Sequence, residues 1–172
     1  MNISKRIYSI FLVSVGLWCV AIVAAPVLST TGGESAHAIA TMLYRGFSRI
    51  CHQLDNRSLH ILGAKFGVCV RCSAIYASFL AGILVWPFLR SMNAGDLPRI
   101  SWLAVGLAPM ILDAVLNDLR ILASTELTRV VSGTIAGFTL SVFILPLLME
   151  AVTLLFARHN LQGETRYAGK TE

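Results

Sequence analysis

Residues 130–156 read VVSGTIAGFTLSVFILPLLMEAVTLLF, a stretch with no lysine or arginine and a single carboxylate, Glu150. A bilayer's hydrocarbon core is crossed by about 20 apolar residues in a helix, with a range of roughly 17 to 25. The stretch lacks the alternation of a barrel strand, and backbone groups in lipid must be satisfied internally, so it predicts a membrane-spanning helix. Three further stretches, about 7–28, 72–89 and 100–116, meet the same test. The expected fold is all-α: an integral membrane four-helix bundle in which the whole chain, 1–172, forms one membrane domain.

Composition agrees with that class. Hydrophobic residues make up 56% of the chain and charged residues 13%, against roughly 25% charged in a soluble domain. The net charge of +5 lies scattered at the ends of apolar runs, where Lys and Arg anchor to headgroups. No basic stripe or aromatic platform accompanies it, so the expected partner is the lipid bilayer and not nucleic acid. Lys5 and Arg6, followed by an apolar run ending in Ala21, Ala24 and Ala25, also resemble a secretory signal. The run exceeds a signal core of roughly 7 to 15 residues, and Pro26 would make a poor first residue, so a retained helix is expected.

Orientation rests on local charge. With a cytoplasmic amino terminus, Lys5, Arg6, Arg90, Arg99, Arg158, Arg166 and Lys170 share one side, and Arg45, Arg49, Arg57, Lys65, Arg71, Arg120 and Arg129 the other. The totals tie, so charges flanking the first and last helices decide. Lys5 and Arg6 precede helix one and no cation follows it until Arg45, while Arg158, Arg166 and Lys170 outnumber Arg129 around helix four. Both termini are therefore expected in the cytoplasm of a cell-membrane protein, with the long first loop outside.

That loop, 29–71, is the one sizeable polar region. Ile39, Met42, Leu43, Phe47 and Ile50 recur at spacings of three and four, which predicts a short amphipathic helix on the bilayer surface or capping the bundle. Gly32-Gly33 breaks the chain before it, and Asp55-Asn56 marks a turn after it. Gly63 and Gly67 bracket a tight approach to Cys69. The chemistry lies in Cys51-His52 and Cys69-Val70-Arg71-Cys72. Cys69 and Cys72 stand at a helix amino terminus, whose partial positive charge, with Arg71, favours thiolate. With Cys51 and His52 they form a Cys3His set, pointing to zinc or another transition metal. Because Cys51 and His52 are adjacent, one of the two can instead support the ligands from outside. Two alternatives stay open: a redox-active disulfide, favoured outside the cytoplasm, and a plain disulfide tying the loop to helix two. Ser73 after the second cysteine excludes the c-type haem pattern. Cys19 reads as a packing residue, and His37, His60 and His159 as surface residues.

A second polar group lies on the third span. Asp113 is an ionisable side chain within an apolar run, a functional candidate by default, with Asn117 one turn later. Arg120 and Arg129 are its expected charge partners, although a purely helix-locking ion pair explains it equally well. Asp118 and Glu126 are expected to face solvent, and Glu150 to pair internally or sit near headgroups. Gly133, Gly137 and Ser141 form a row of small residues suited to close helix packing.

The combination Cys51-His52-Gln53, Arg57-Ser58, Cys69-Val70-Arg71-Cys72 and Ile75-Tyr76, then Pro109, Asp113, Ser124-Thr125, Arg129, Gly133 and Gly137, resembles the bacterial membrane proteins grouped as domain of unknown function 2085. The resemblance covers about residues 45–140. It implies a multi-helix membrane protein and no assigned activity. Ala74, Ser78 and Ala114 stand where that pattern leads one to expect glycine, and Glu126 where it leads one to expect Asn; all the candidate ligands are intact. A weaker similarity is to DsbB-like quinone reductases, which also have four helices and an exterior Cys-x-x-C at helix two. It implies a membrane thiol-disulfide oxidoreductase coupled to quinone. The second cysteine pair of those enzymes is missing from 118–129, leaving Cys51 alone to replace it. A non-catalytic membrane interaction or assembly role is the third reading.

Overall fold

The computed structural model describes the backbone of residues 3–89 and 98–168, with side chains over 5–88 and 98–155. Arg90 and Lys170, and the side chains of Arg158, His159 and Arg166, lie outside the described residues. Five α-helices are described: α1 (Ile3–Thr31), α2 (Glu34–Phe47), α3 (Val70–Leu89), α4 (Ile100–Asp118) and α5 (Glu126–Ala168). Four of them, α1, α3, α4 and α5, are long and apolar enough to cross a membrane. Between α2 and α3 the chain makes a 3-10 turn (Asp55–Arg57) and a small antiparallel hairpin, β1 (His60–Ile61) and β2 (Ala64–Lys65). The hairpin's two-residue turn places Leu62 at φ 51 and Gly63 at φ 81, as a turn matching the twist of the flanking strands requires. Sequence periodicity gave no sign of strands this short.

The helices pass up and down. Tyr8 meets Ile83 and Cys19 meets Tyr76, so α1 and α3 are antiparallel. By contrast α3 and α5 run parallel and form the most extensive contact in the molecule. Their seam is a ladder of small residues. Gly133 sits where a Cβ would come within 2.8 Å of the Arg71 carbonyl and 3.1 Å of Ala74, Gly137 lies against Ile75 and Ser78, and Gly82 against Ser141. Ser78, Ala136 and Ser141 are buried there. Without a hydrophobic driving force between helices in lipid, such close backbone approach is what holds them together. The row predicted on α5 thus meets a matching row, Ala74-Ser78-Gly82, on α3. Helix α4 packs on α5 with Gly106 against Thr139 and is otherwise the most exposed span.

Two prolines supply docking points. A proline lacks the N–H that would bond the carbonyl four residues earlier. Pro87 in α3 thereby frees the Ile83 carbonyl, which accepts the buried Tyr8 hydroxyl at 2.9 Å. Pro26 in α1 frees the Ile22 carbonyl, which accepts the Gly67 N–H at 3.3 Å. The first joins α1 to α3 and the second seats the cysteine loop on α1.

Helix α2 folds back along α1 instead of lying apart from the bundle. Phe47 stacks edge-on against Trp18, 5.2 Å between ring centroids, and joins Ile22, Cys51 and Val68 in a core under the loop. The inward face is Ala40, Leu43 and Phe47, while Ile39, Met42 and Ile50, expected on the same face, remain exposed. The α1–α2 hairpin continues about 13 Å past Ile22, at 1.5 Å per residue to Thr31. Glu150 is exposed on α5.

Candidate functional site

The loop is tied down by Gln53. Its backbone is left-handed, φ 49, an uncommon conformation for a residue other than glycine. Three hydrogen bonds hold it. Its side-chain amide donates to the Tyr44 carbonyl at 2.9 Å and the Gly67 carbonyl at 2.7 Å, and Lys65 Nζ donates to its carbonyl at 3.0 Å. The Tyr44 hydroxyl in turn donates to the Lys65 carbonyl, and burial raises the pKa of that phenol. This clamp turns the preceding Cys51 inward to the start of α3, where its sulfur accepts the Cys69 N–H at 3.2 Å. Gln53 figures in the sequence reading only within the family resemblance, and Tyr44 and Lys65 carry no site role there; the position of Gln53 directly after Cys-His is the one available sign.

The sulfurs of Cys51, Cys69 and Cys72 all lie within 4.8 Å of one another, with Cys51 buried and the other two half-buried. The Cys72 thiol, hydrogen-bonded to Cys69, holds the Cys69 thiol well below its ordinary range, at about 5, against the opposing effect of burial. Contacts from Cys51 and the backbone of Arg71 and Cys72 act in the same direction. All four cysteines are free thiols. His52 is exposed and contributes no nitrogen to the sulfur cluster, although it lines the same cleft. Cys19 is apart, in contact with the Tyr76 carbonyl at 3.6 Å. His37 and His60 are exposed, and His60 pairs with Asp55 at 3.2 Å.

Beside the thiols, Arg71 turns away from them. Its guanidinium pairs with Asp113 of α4, and Ser124, in the α4–α5 connection, donates its hydroxyl to the same carboxylate oxygen at 2.8 Å. Arg129 Nε donates to Ser124 Oγ at 3.2 Å, and Asn117 Oδ1 accepts the Ser124 N–H at 3.1 Å. The expected partners of Asp113 are therefore corrected. Arg71, the second residue of α3, reaches the carboxylate directly; Arg129 reaches it only through Ser124, and Arg120, just past the Leu119 cap of α4, is exposed in a left-handed conformation, φ 57. Ser124, the hub of this network, had been noted only within the family resemblance.

The two groups share one cleft of about 390 Å³ at the end of the bundle, whose lining includes Cys51, Cys69 and Cys72 together with Arg57, Arg71, Arg129 and Asp118. Asp118 and Glu126 are exposed.

Comparison with known proteins places these features in a wider group. The family described as "Predicted membrane protein (DUF2085)" matches residues 51–156, which include the three clustered cysteines, Asp113 and Arg129. An uncharacterized protein of Methanocaldococcus jannaschii is 34% identical over 150 residues, covering 86% of this chain and 96% of that protein. No solved structure matches the chain.

Proposed function

Since this chain belongs to the DUF2085 family of predicted membrane proteins, whose description carries no activity, we propose from its geometry that it holds a transition-metal ion, zinc or a similarly thiophilic metal, on Cys51, Cys69 and Cys72. The observation that supports this is the convergence of three sulfurs within 4.8 Å. At a zinc–sulfur distance of about 2.3 Å, tetrahedral thiolates stand roughly 3.8 Å apart, so small side-chain movements suffice to close on an ion. A disulfide, with sulfurs about 2.05 Å apart, requires a larger approach. Three protein ligands leave a fourth position open toward the cleft, the arrangement of reactive rather than purely structural zinc sites. A divalent ion on three thiolates carries one net negative charge, and the arginines across the cleft suit it. His52, exposed in the same cleft, is the side chain that can swing toward that fourth position.

The loop carrying the site lies outside the cell and both termini lie in the cytoplasm, in the orientation that Lys5 and Arg6 before α1 favour. A second reading, thiol–disulfide exchange, draws on the low pKa of Cys69, since a thiolate is the attacking species. Its quinone-coupled form lacks the second cysteine pair, for Leu119 to Thr125 hold none.

The deciding experiment is metal content per chain with a free-thiol count, on untagged protein purified in mild detergent without chelator. About one ion per chain, lost in Cys69→Ser and Cys72→Ser, is the expected result. No metal, with two thiols missing from the count, transfers the cluster to the exchange reading.

A further inference from the structure

The arginine wall of the cleft carries more positive charge than its surroundings use. Asp113 and Ser124 occupy the Nη2 end of Arg71, while its Nε is buried with no partner. Arg129 spends only Nε, on Ser124, and its two terminal amines have no partner among the described residues. Arg57, half-buried at the end of the 3-10 turn, has no side-chain partner at all among them. Against these stands one carboxylate lining the cleft, Asp118. Guanidinium groups are planar forks of donors whose geometry matches the oxygens of phosphate and carboxylate. Several of them lining one concave space, with donors that no protein acceptor takes, favour an anion there.

We propose that the cleft lined by Arg57 and Arg129 binds a phosphate-class oxyanion, seated by the free terminal amines of both arginines. The cleft's volume of about 390 Å³ accommodates a phosphomonoester or a phosphodiester headgroup, and its place at the end of the spans puts it at headgroup level. The shared chemistry is the phosphate group, whose source is either a soluble anion or an anionic lipid. The proposal does not rest on a metal at the cysteines, because the donors it uses are separate from the sulfurs.

The test is equilibrium dialysis of the full chain, delipidated in a zwitterionic detergent, against radiolabelled inorganic phosphate. Saturable binding near one per chain is expected. Arg57→Gln, which breaks no hydrogen bond in the fold, should weaken it about tenfold or more, the ordinary loss for a charge-assisted hydrogen bond. Adding Arg129→Gln should remove it, whereas Arg49→Gln, outside the cleft, should leave it intact. Competition with short-chain phosphatidylglycerol separates the sources: displacement at lower concentration than unlabelled phosphate identifies a lipid headgroup, and failure to displace identifies a soluble anion. Absence of saturable binding in the wild-type chain, or binding undiminished in Arg57→Gln and in the double variant, overturns the proposal. Loss of phosphate in Cys69→Ser with retention in both arginine variants also overturns it, and would put the anion on a metal instead.

Discussion

Cys69 is the thiol that sets the reactivity of the cluster. Held near 5 by the Cys72 thiol, it ionises below the value of about 8.5 for a free cysteine. Ionisation in the folded state therefore adds stability that is complete above about pH 8.5 and is lost as pH falls toward 5. The same shift predicts its chemistry. In metal-free protein, the rate of Cys69 alkylation by iodoacetamide, read by peptide mass spectrometry, should climb through about pH 5 and level off by neutrality. A titration centred above pH 8 would show that the hydrogen-bonded thiolate is absent. At Asp113, loss of charge leaves Arg71 facing an amide in a partly buried site, with Ser124 deprived of its anionic acceptor. Asp113→Asn should cost about 1–3 kcal/mol, seen as a lower midpoint of thermal unfolding in detergent, and Ser124→Ala should cost less. The cysteines and Asp113 were legible in the sequence because soft ligands and an intramembrane carboxylate are rare and costly there. The partner of Asp113 was not legible, since Arg71 and Arg129 are separated from it by opposite directions along the chain and only helix packing selects between them.

Between helices, the freed carbonyls at Ile83 and Ile22 give proline a constructive use. Tyr8→Phe removes the donor and strands a buried carbonyl, at a cost of about 1–3 kcal/mol. Pro87→Ala restores the helix's own N–H to that carbonyl. In the Pro87→Ala background, then, Tyr8→Phe should cost much less than in the wild type, and a double-mutant cycle of unfolding midpoints measures the difference. Additive losses would mean that the Tyr8 hydroxyl and Pro87 act independently. The spans themselves were predictable from apolar length, with ends shifted by a few residues: α1 begins earlier and α3 two residues earlier, at Val70. Glycine spacing gave one side of the α3–α5 seam, Gly133 and Gly137. Its other side was hidden because Ala74 and Ser78 look like departures from a glycine pattern when they are in fact the complement to it. Periodicity found Leu43 and Phe47 on the docking face of α2 but grouped the exposed Ile39 and Met42 with them, and it missed Ala40, which a search for large apolar residues passes over.

For the molecule as a whole, the placement of loop and termini has a direct test. Asn56 is exposed in the turn between the cysteine motifs. With the four native cysteines replaced by serine, Asn56→Cys should react with a membrane-impermeant maleimide in intact cells, and a cysteine added beyond Glu172 only after lysis; the reverse pattern would invert the proposed orientation. The parallel seam of α3 with α5 bears on how the protein comes into being. One partner spans residues 70–89, and the other leaves the ribosome only after α4 has been made. Until that span arrives, Ala74, Ser78 and Gly82 have only lipid to face, and Arg129 and Ser124 do not yet exist beside Arg71. A chain interrupted after α3 would still carry all three clustered cysteines at the bilayer surface, yet lack Arg129 from the cleft lining and the Asp113 and Ser124 that hold Arg71. The finished cleft thus requires synthesis to have run through the start of α5, and a product stopped earlier would carry the three sulfurs without the neighbours that confine them.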